Sequence, residues 1–288
     1  MNIGITGSSG FIGSRVGELC RAGGHEVVGF SRRPGEGIRL FNRETLPDLS
    51  GLDAVVNLAG ESIMGLWTKN KKRAILESRI LGTRQLVRAM AAGGQKPRVL
   101  VNASAIGFYG DTGERLVDET SPCGEGFLAE VAREWEAEAE EAASLGVRVV
   151  CLRIGFVLGR GGALKLIAPL FRLGLGGRLG DGKQWMSGVH VYDVAGLIIW
   201  SLENDSVRGA VNAVMPEPFR NEEFTRELAR AVHRPAFLPA PAFALRLGLG
   251  ELSHLMLDST RVSPLRAQEG GYVFRFATLP SALQDALR

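Results

Sequence analysis

Through the first half of the chain, short apolar runs rich in β-branched residues alternate with longer stretches of helical periodicity. The apolar runs fall at 2–6, 26–31, 54–59, 98–103 and 148–154. Between them, helical spacing covers 11–22, 69–92 and 127–144, the last rich in Ala and Glu. Strands that alternate with helices of this length predict repeated βαβ units around a parallel sheet. The runs carry few polar residues, as strands covered on both faces by helices require.

Beyond Ile154 the pattern changes. Glycines at 155, 159, 161, 162, 174, 176, 177, 180 and 182 separate apolar helical pieces, and prolines at 216, 218, 235, 239 and 241 limit continuous helix later on. No Ser/Pro-rich or charged spacer divides the halves. The expected organisation is a dinucleotide-binding domain over 1–155, with sheet and helix elements returning from 189–235. Residues 156–288 then form a smaller mixed region on the substrate side, with a lid.

The dinucleotide expectation comes from Thr6-Gly7-Ser8-Ser9-Gly10-Phe11-Ile12-Gly13, which follows the first strand directly and opens the first helix. Gly7 permits a tight turn, Gly10 lets the backbone approach a pyrophosphate, and Gly13 allows close packing of helix on strand. The helix N-terminus offers unpaired N–H groups to the anion. Strand, glycine loop and helix in that order predict an α/β chain built on a Rossmann-type doubly wound parallel sheet.

The end of the second strand selects between nicotinamides. A carboxylate there would bond the ribose 2′-hydroxyl of NAD, whereas an arginine can pair with the 2′-phosphate of NADP. The strand ends Gly29-Phe30-Ser31-Arg32-Arg33-Pro34. Ser31 can hydrogen-bond a phosphate oxygen, and Arg32 or Arg33 can supply a planar, charge-assisted fork, so NADP is the expected cofactor.

Composition adds exclusions. Of the 288 residues 45% are hydrophobic and 23% charged, the balance of an ordinary globular chain. A net charge of +3 with scattered Lys and Arg gives no reason to expect a nucleic-acid partner. The three cysteines, Cys20, Cys123 and Cys151, lack metal-ligand spacing, and His25, His233 and His254 have no ligand-like partners, so no metal is expected. No apolar run approaches the roughly 20 residues of a membrane span, and the first residues open a strand without a signal-peptide pattern. A reduced, cytoplasmic protein is the expectation.

The loop Thr6 to Gly13 resembles that of the short-chain dehydrogenase/reductase superfamily in its extended, epimerase/dehydratase-like form. Asn57-Leu58-Ala59-Gly60, the run from Ala103 to Gly110, and Val189-His190-Val191-Tyr192-Asp193-Val194-Ala195 match it as well. A narrower set resembles an atypical epimerase-like group with its own small C-terminal domain. It comprises Glu61-Ser62-Ile63, Glu77-Ser78-Arg79, Gly124-Glu125-Gly126-Phe127-Leu128, Leu152-Arg153-Ile154-Gly155 and, near the end, Phe243-Ala244-Leu245-Arg246 and Tyr272-Val273-Phe274-Arg275-Phe276. The resemblance implies NADP(H) binding, with Leu58, Ala59, Gly60 and Arg79 beside the cofactor, and allows a homodimer.

Typical members of that superfamily use a tyrosine acid/base with a lysine four residues later. A tyrosine starts near pKa 10, and an adjacent ammonium makes its phenolate accessible at neutral pH. Here Tyr109, Tyr192 and Tyr272 are followed four positions later by Gly113, Gly196 and Phe276. The resemblance places Phe127 or Leu128 at the tyrosine position and Val131 or Ala132 at the lysine position. Two readings follow: an NADP-dependent oxidoreductase or epimerase acting on a small polar molecule through another acid, or a non-catalytic NADP(H)-binding sensor or partner-stabilising protein. Ser104, where the superfamily's serine would lie, and Glu130, on the helix expected to approach the nicotinamide, are the candidate catalytic groups. Tyr109, Trp185 and His190 are candidate substrate contacts; packing is an alternative role for the Tyr109 ring, a lone histidine such as His190 is more often structural, and Trp185 would serve as an apolar wall.

Overall fold

Ile3 and Ile5 on β1 (Asn2–Thr6) are wholly inaccessible to solvent because their strand runs through the middle of a sheet covered on both faces. The computed structural model describes residues 1–33, 35–42 and 44–288. β1 lies between β2 (Glu26–Ser31) and β4 (Ala54–Asn57); outward follow β3 (Ile38–Leu40) on one side and β5 (Val99–Ala105), β6 (Arg148–Ile154) and β10 (Gly209–Ala213) on the other. All these pairings are parallel, giving the order β10-β6-β5-β4-β1-β2-β3.

Alternate residues of each strand feed opposite layers. Ile3, Ile5, Val101, Val150 and Leu152 meet Val16 and Cys20 of α1 (Phe11–Ala22) and Leu197 and Ile198 of α5 (Val191–Glu203). On the other face Val55, Leu100, Val149 and Cys151 meet Leu86 and Met90 of α2 (Lys69–Ala92) and Ala139 of α3 (Phe127–Glu140). The expected doubly wound sheet is therefore present, and α1 and α2 have the expected bounds.

Local chemistry moves other bounds. The third run ends as a strand at Asn57 rather than residue 59, because the N–H groups of Leu58 and Ala59 turn to donate to Thr6 Oγ1. The third helical stretch leaves α-geometry at Glu140 and continues as a 3-10 turn, Glu141–Leu145, before left-handed Gly146 at φ 82° ends it. The short edge strand β3 escaped the sequence pattern.

The second half contributes a separate core. Two small ladders, β7 (Phe156–Leu158) with β9 (Gly188–His190) and β8 (Trp185–Met186) with β11 (Phe219–Arg220), support α4 (Leu164–Arg172), α6 (Asn221–Ala231) and, near the end, α10 (Leu279–Ala286). Leu158, Phe171, Phe219, Phe224, Leu228 and Leu283 fill that core. Of the elements in 189–235, α5 and β10 join the main sheet layers, whereas α6 turns its apolar face to the second core. Between them in sequence and α10 lie the short helices α7 (Ala242–Leu249), α8 (His254–Leu257) and α9 (Leu265–Glu269).

Asp193, buried on α5, fastens the C-terminal segment. Its carboxylate accepts from the Arg275 and Phe276 N–H groups at 2.7 and 2.9 Å and from the Tyr272 hydroxyl at 3.3 Å. Among the described residues no helix is long and apolar enough to cross a membrane.

Candidate cofactor cradle and adjoining polar network

Because the sheet is parallel, the carboxyl ends of β1, β2, β4, β5 and β6 share one edge, and the loops that carry the cofactor candidates, Ser104 and Tyr109 start there, whereas Trp185 and His190 lie on the small ladders. Gly7 holds φ +67°, and a Cβ on it would lie 2.9 Å from the Leu58 carbonyl oxygen. A Cβ at Gly13 would meet the Gly7 carbonyl oxygen at 2.1 Å. Only hydrogen fits at both positions. Gly10 caps α1 without a side-chain hydrogen bond and its first turn has no acidic residue, so the helix dipole faces an uncontested position. These features shape the loop into a backbone cradle at a helix N-terminus, a geometry suited to an anion. Ser9 and Gly10 line its exposed rim and Ser8 is half-buried, while Ile12 packs toward the core. The Phe11 ring lies against the 159–162 loop, where added Cβ atoms at Gly159, Gly161 and Gly162 would come within 2.6–3.1 Å of it.

At the end of β2, Ser31 accepts from the Arg33 N–H at 3.3 Å, and Arg32 and Arg33 are exposed. Pro34 lies outside the described residues. The loop after β4 completes this side. Arg79 Nη1 donates to the Glu61 carbonyl at 3.0 Å, and its guanidinium lies 3.2 Å from where a Gly60 Cβ would be. Burial lowers the Arg79 pKa to about 10, against the opposing charge of Glu61. The Lys71 ammonium bonds Glu61 at 2.7 Å and, with Arg32 and Arg79 contributing, holds that carboxyl below its ordinary value.

Beneath the cradle, buried polar side chains join five elements, β1, β4, β5, α2 and α3. Thr6 Oγ1 donates to Asn57 Oδ1 at 2.6 Å; Asn57 Nδ2 donates to Asn102 Oδ1 and Thr83 Oγ1; Trp135 Nε1 also donates to Thr83. Such a network fixes the loops it supports only because its members satisfy one another.

The adjoining cluster is charged. Ser104 Oγ donates to Glu136 Oε1 at 2.6 Å, and Arg153 grips the same carboxylate through Nε and Nη2, each at 2.8 Å. Arg153 Nη1 donates to the Tyr109 hydroxyl at 2.9 Å, which donates to Asn212 Oδ1 at 2.8 Å. Burial works against the Arg153 charge, but Glu136 outweighs it and holds the guanidinium above its ordinary pKa. Burial also raises the Tyr109 hydroxyl, with Arg153 opposing.

Ser104 thus stands at the carboxyl end of β5, 3% exposed, with Glu136 as its partner. Glu130 is exposed in the first turn of α3 and has no contact with Ser104 among the described residues. At the positions of the missing pair, Phe127 meets Trp67 edge to face at 5.3 Å between centroids, and Val131 and Ala132 are buried. Tyr109 is buried within the charged cluster. Trp185 donates to Glu114 at 2.8 Å, and the Arg220 and Arg261 guanidinium groups lie over its ring at 4.2 and 4.4 Å from the centroid. His190 caps α5 by accepting from the Tyr192 N–H and packs on Phe276 at 4.0 Å, remote in its contacts from Ser104.

Glu136 was not among the expected site residues, and Arg153 entered only as part of the Leu152-Arg153-Ile154-Gly155 motif, with no role assigned. Their signal was an arginine inside an otherwise apolar buried strand, which demands an anionic partner.

A glycine cradle at the switch of a doubly wound sheet, with a polar cluster beside it, defines a dinucleotide-binding α/β protein of the extended short-chain type. Residues 3–213 match the NAD dependent epimerase/dehydratase family, and residues 240–286 match a domain of unknown function, DUF1731. The chain belongs to the NAD dependent epimerase/dehydratase family. It is 38% identical to the chloroplastic epimerase family protein SDR39U1 homolog of Arabidopsis thaliana, covering 100% of this chain and 87% of that protein. To the epimerase family protein YfhF of Bacillus subtilis it is 36% identical, covering 100% and 98%. The crystal structure of the human epimerase family protein SDR39U1 with NADPH superposes with a TM-score of 0.93 at 34% identity, covering 100% of this chain and 99% of that one. UDP-glucose 4-epimerase of Thermus thermophilus shares the fold at a TM-score of 0.76 and 22% identity.

Proposed function

We propose that this chain binds NADP(H) and is an oxidoreductase or epimerase acting on a small polar molecule, with Ser104 handling a substrate oxygen in place of the usual tyrosine and lysine. Gly7, Gly10, Gly13, Ser8 and Ser9 would hold the pyrophosphate; Ser31, Arg32 and Arg33 the 2′-phosphate; Leu58, Ala59, Gly60 and Arg79 the remainder. When bound, the nicotinamide supplies or accepts a hydride at C4. The NADPH in the human relative supports the choice of cofactor.

The observation that carries the catalytic reading is the direction of the Ser104 hydroxyl. Its hydrogen is committed to Glu136, so a substrate alcohol that passes its proton to Ser104 Oγ lets Ser104 pass its own to the carboxylate. Arg153 keeps that carboxylate oriented. Three free cysteines, Cys20 and Cys151 buried and Cys123 half-buried, suit a reducing cytoplasmic setting.

The packed apolar residues at 127, 131 and 132 favour a second reading, a non-catalytic NADP(H)-binding sensor or partner-stabilising protein. A screen of small polyols, hydroxy acids and sugar derivatives, following NADPH absorbance for wild type, Ser104→Ala, Glu136→Gln and Glu130→Gln, separates the two. Turnover lost in the first two variants and kept in Glu130→Gln supports the proposal. Tight NADPH binding without turnover supports the second reading. Calorimetry tests the cofactor: Arg32→Ala with Arg33→Ala should weaken NADPH at least about tenfold and leave NADH unchanged, since each charge-assisted pair to a phosphate contributes of that order.

A further inference from the structure

Outside the dinucleotide cleft, α6 and the segment 236–239 border an open surface cavity of about 730 Å³, within the size range of small-molecule sites. Four guanidinium groups line it, those of Arg178, Arg226, Arg230 and Arg234, against a single lining carboxylate, Glu222. Arg226 and Arg230 stand four residues apart on one helix, a like-charge spacing that costs the helix stability. The fold relieves only part of this through Glu227, which accepts from Arg226 Nε at 3.3 Å and Arg230 Nη1 at 3.0 Å.

Those contacts also preorganise the donors. Arg226 is held by Nε, leaving both terminal nitrogens; Arg234 is likewise held by Nε, which donates to the Arg172 carbonyl at 3.2 Å. Arg178 has no ion pair among the described residues. Thr225, only 6% exposed, forms part of the cavity floor beneath these guanidinium groups.

The backbone adds a further observation. His233 lies on the cavity wall at φ 54°, and among the described residues no other non-glycine residue has positive φ. It occupies the position after α6 where glycine is usual, so the imidazole is kept there at a conformational cost. Phe237, 70% exposed, presents an unstacked ring to the same cavity.

We infer that this cavity is a second ligand site, built for a small anion of the nucleotide class: a diphosphate or polyphosphate held by Arg226, Arg230, Arg234 and Arg178, with a planar ring stacked on Phe237. The bidentate match of guanidinium to phosphate supplies the affinity, and the aromatic face selects the ring. The inference does not depend on the reading of the dinucleotide cleft.

Calorimetry of the full chain with ADP and with inorganic pyrophosphate, in saturating NADPH to occupy the first cleft, tests it. ADP should bind, and Arg226→Glu with Arg230→Glu, both exposed positions, should weaken it at least about tenfold for the loss and reversal of two charge-assisted contacts, with NADPH affinity unchanged. Phe237→Ala should weaken ADP and leave pyrophosphate unaffected. Arg178→Gln provides a milder variant that must also weaken both. ADP binding that persists undiminished in the Arg226/Arg230 variant, or its absence in the wild type, overturns the inference. Pyrophosphate binding with no gain for ADP overturns the assignment of the ring.

Discussion

Ser104 and Arg153 are register partners on the adjacent parallel strands β5 and β6, and both donate to the same atom, Glu136 Oε1, at 2.6 and 2.8 Å. Strand pairing therefore fixes the spacing of two donors, and one carboxylate from α3 bridges them. The side chains of Arg153 and Glu136 are 6% and 12% exposed, so the ion pair is screened little by solvent.

Removal of one member should cost unequally. Glu136→Gln leaves the Arg153 charge buried without its counter-charge and should destabilise the fold by about 3 kcal/mol, whereas Ser104→Ala, which removes one neutral donor, should cost about 1 kcal/mol. Urea unfolding at neutral pH measures both. Equal losses, or a Glu136→Gln protein as stable as wild type, would show that the pair does not support the sheet edge.

The glycine cradle makes a sterically defined prediction. At Gly13 an added Cβ would lie 2.1 Å from the Gly7 carbonyl oxygen, so the loop must move away from α1. Gly13→Ala should cost about 1–3 kcal/mol by overpacking and lower NADPH affinity in calorimetry. Nothing lies within 4 Å of a Cβ at Gly94, and Gly94→Ala should change stability by less than about 0.5 kcal/mol.

The sheet and cradle were legible because their signals are local: β-branched runs, helical periodicity, and glycines placed just after a strand. The charged cluster was not, because Ser104, Glu136 and Arg153 come from three elements and meet only once β5 and β6 are in register. Glu130 drew attention by lying near the expected tyrosine position, yet it is exposed in the first turn of α3. Glu136 lies four residues beyond Ala132 and so shares its helix face. His190 belongs to a motif whose histidine could have faced either way; its ring is turned to Phe276.

Asp193 is expected to fasten the C-terminal segment to the sheet layers. Without its carboxylate, the Arg275 and Phe276 N–H groups lose their acceptor in a half-buried setting. Asp193→Ala should destabilise by about 2–4 kcal/mol, the cost of orphaned donors plus a lost charge-assisted contact. Limited proteolysis should cut first within 270–278 in the variant, while wild type resists there. Cleavage at the same rate in both proteins would rule out the fastening role.

Acid should weaken the fold through His190, and the sign follows from its environment. Burial, opposed by Asp285 and aided by Arg275 and Arg15, lowers the imidazole to a pKa of about 4, against 6.5 ordinarily. Between those values the unfolded chain binds a proton that the folded chain refuses, so stability rises with pH there. The contribution is complete above about pH 6.5 and is lost as pH falls toward 4. From pH 7 to pH 5 the loss from this group alone should be roughly 2 kcal/mol. His190→Asn can still accept the Tyr192 N–H as the cap of α5 but has no proton to gain. Urea unfolding at pH 7, 6 and 5 should show wild type losing more stability than His190→Asn, with the difference widening as pH falls. Parallel pH profiles for the two proteins would mean that His190 is protonated equally in the folded and unfolded chain.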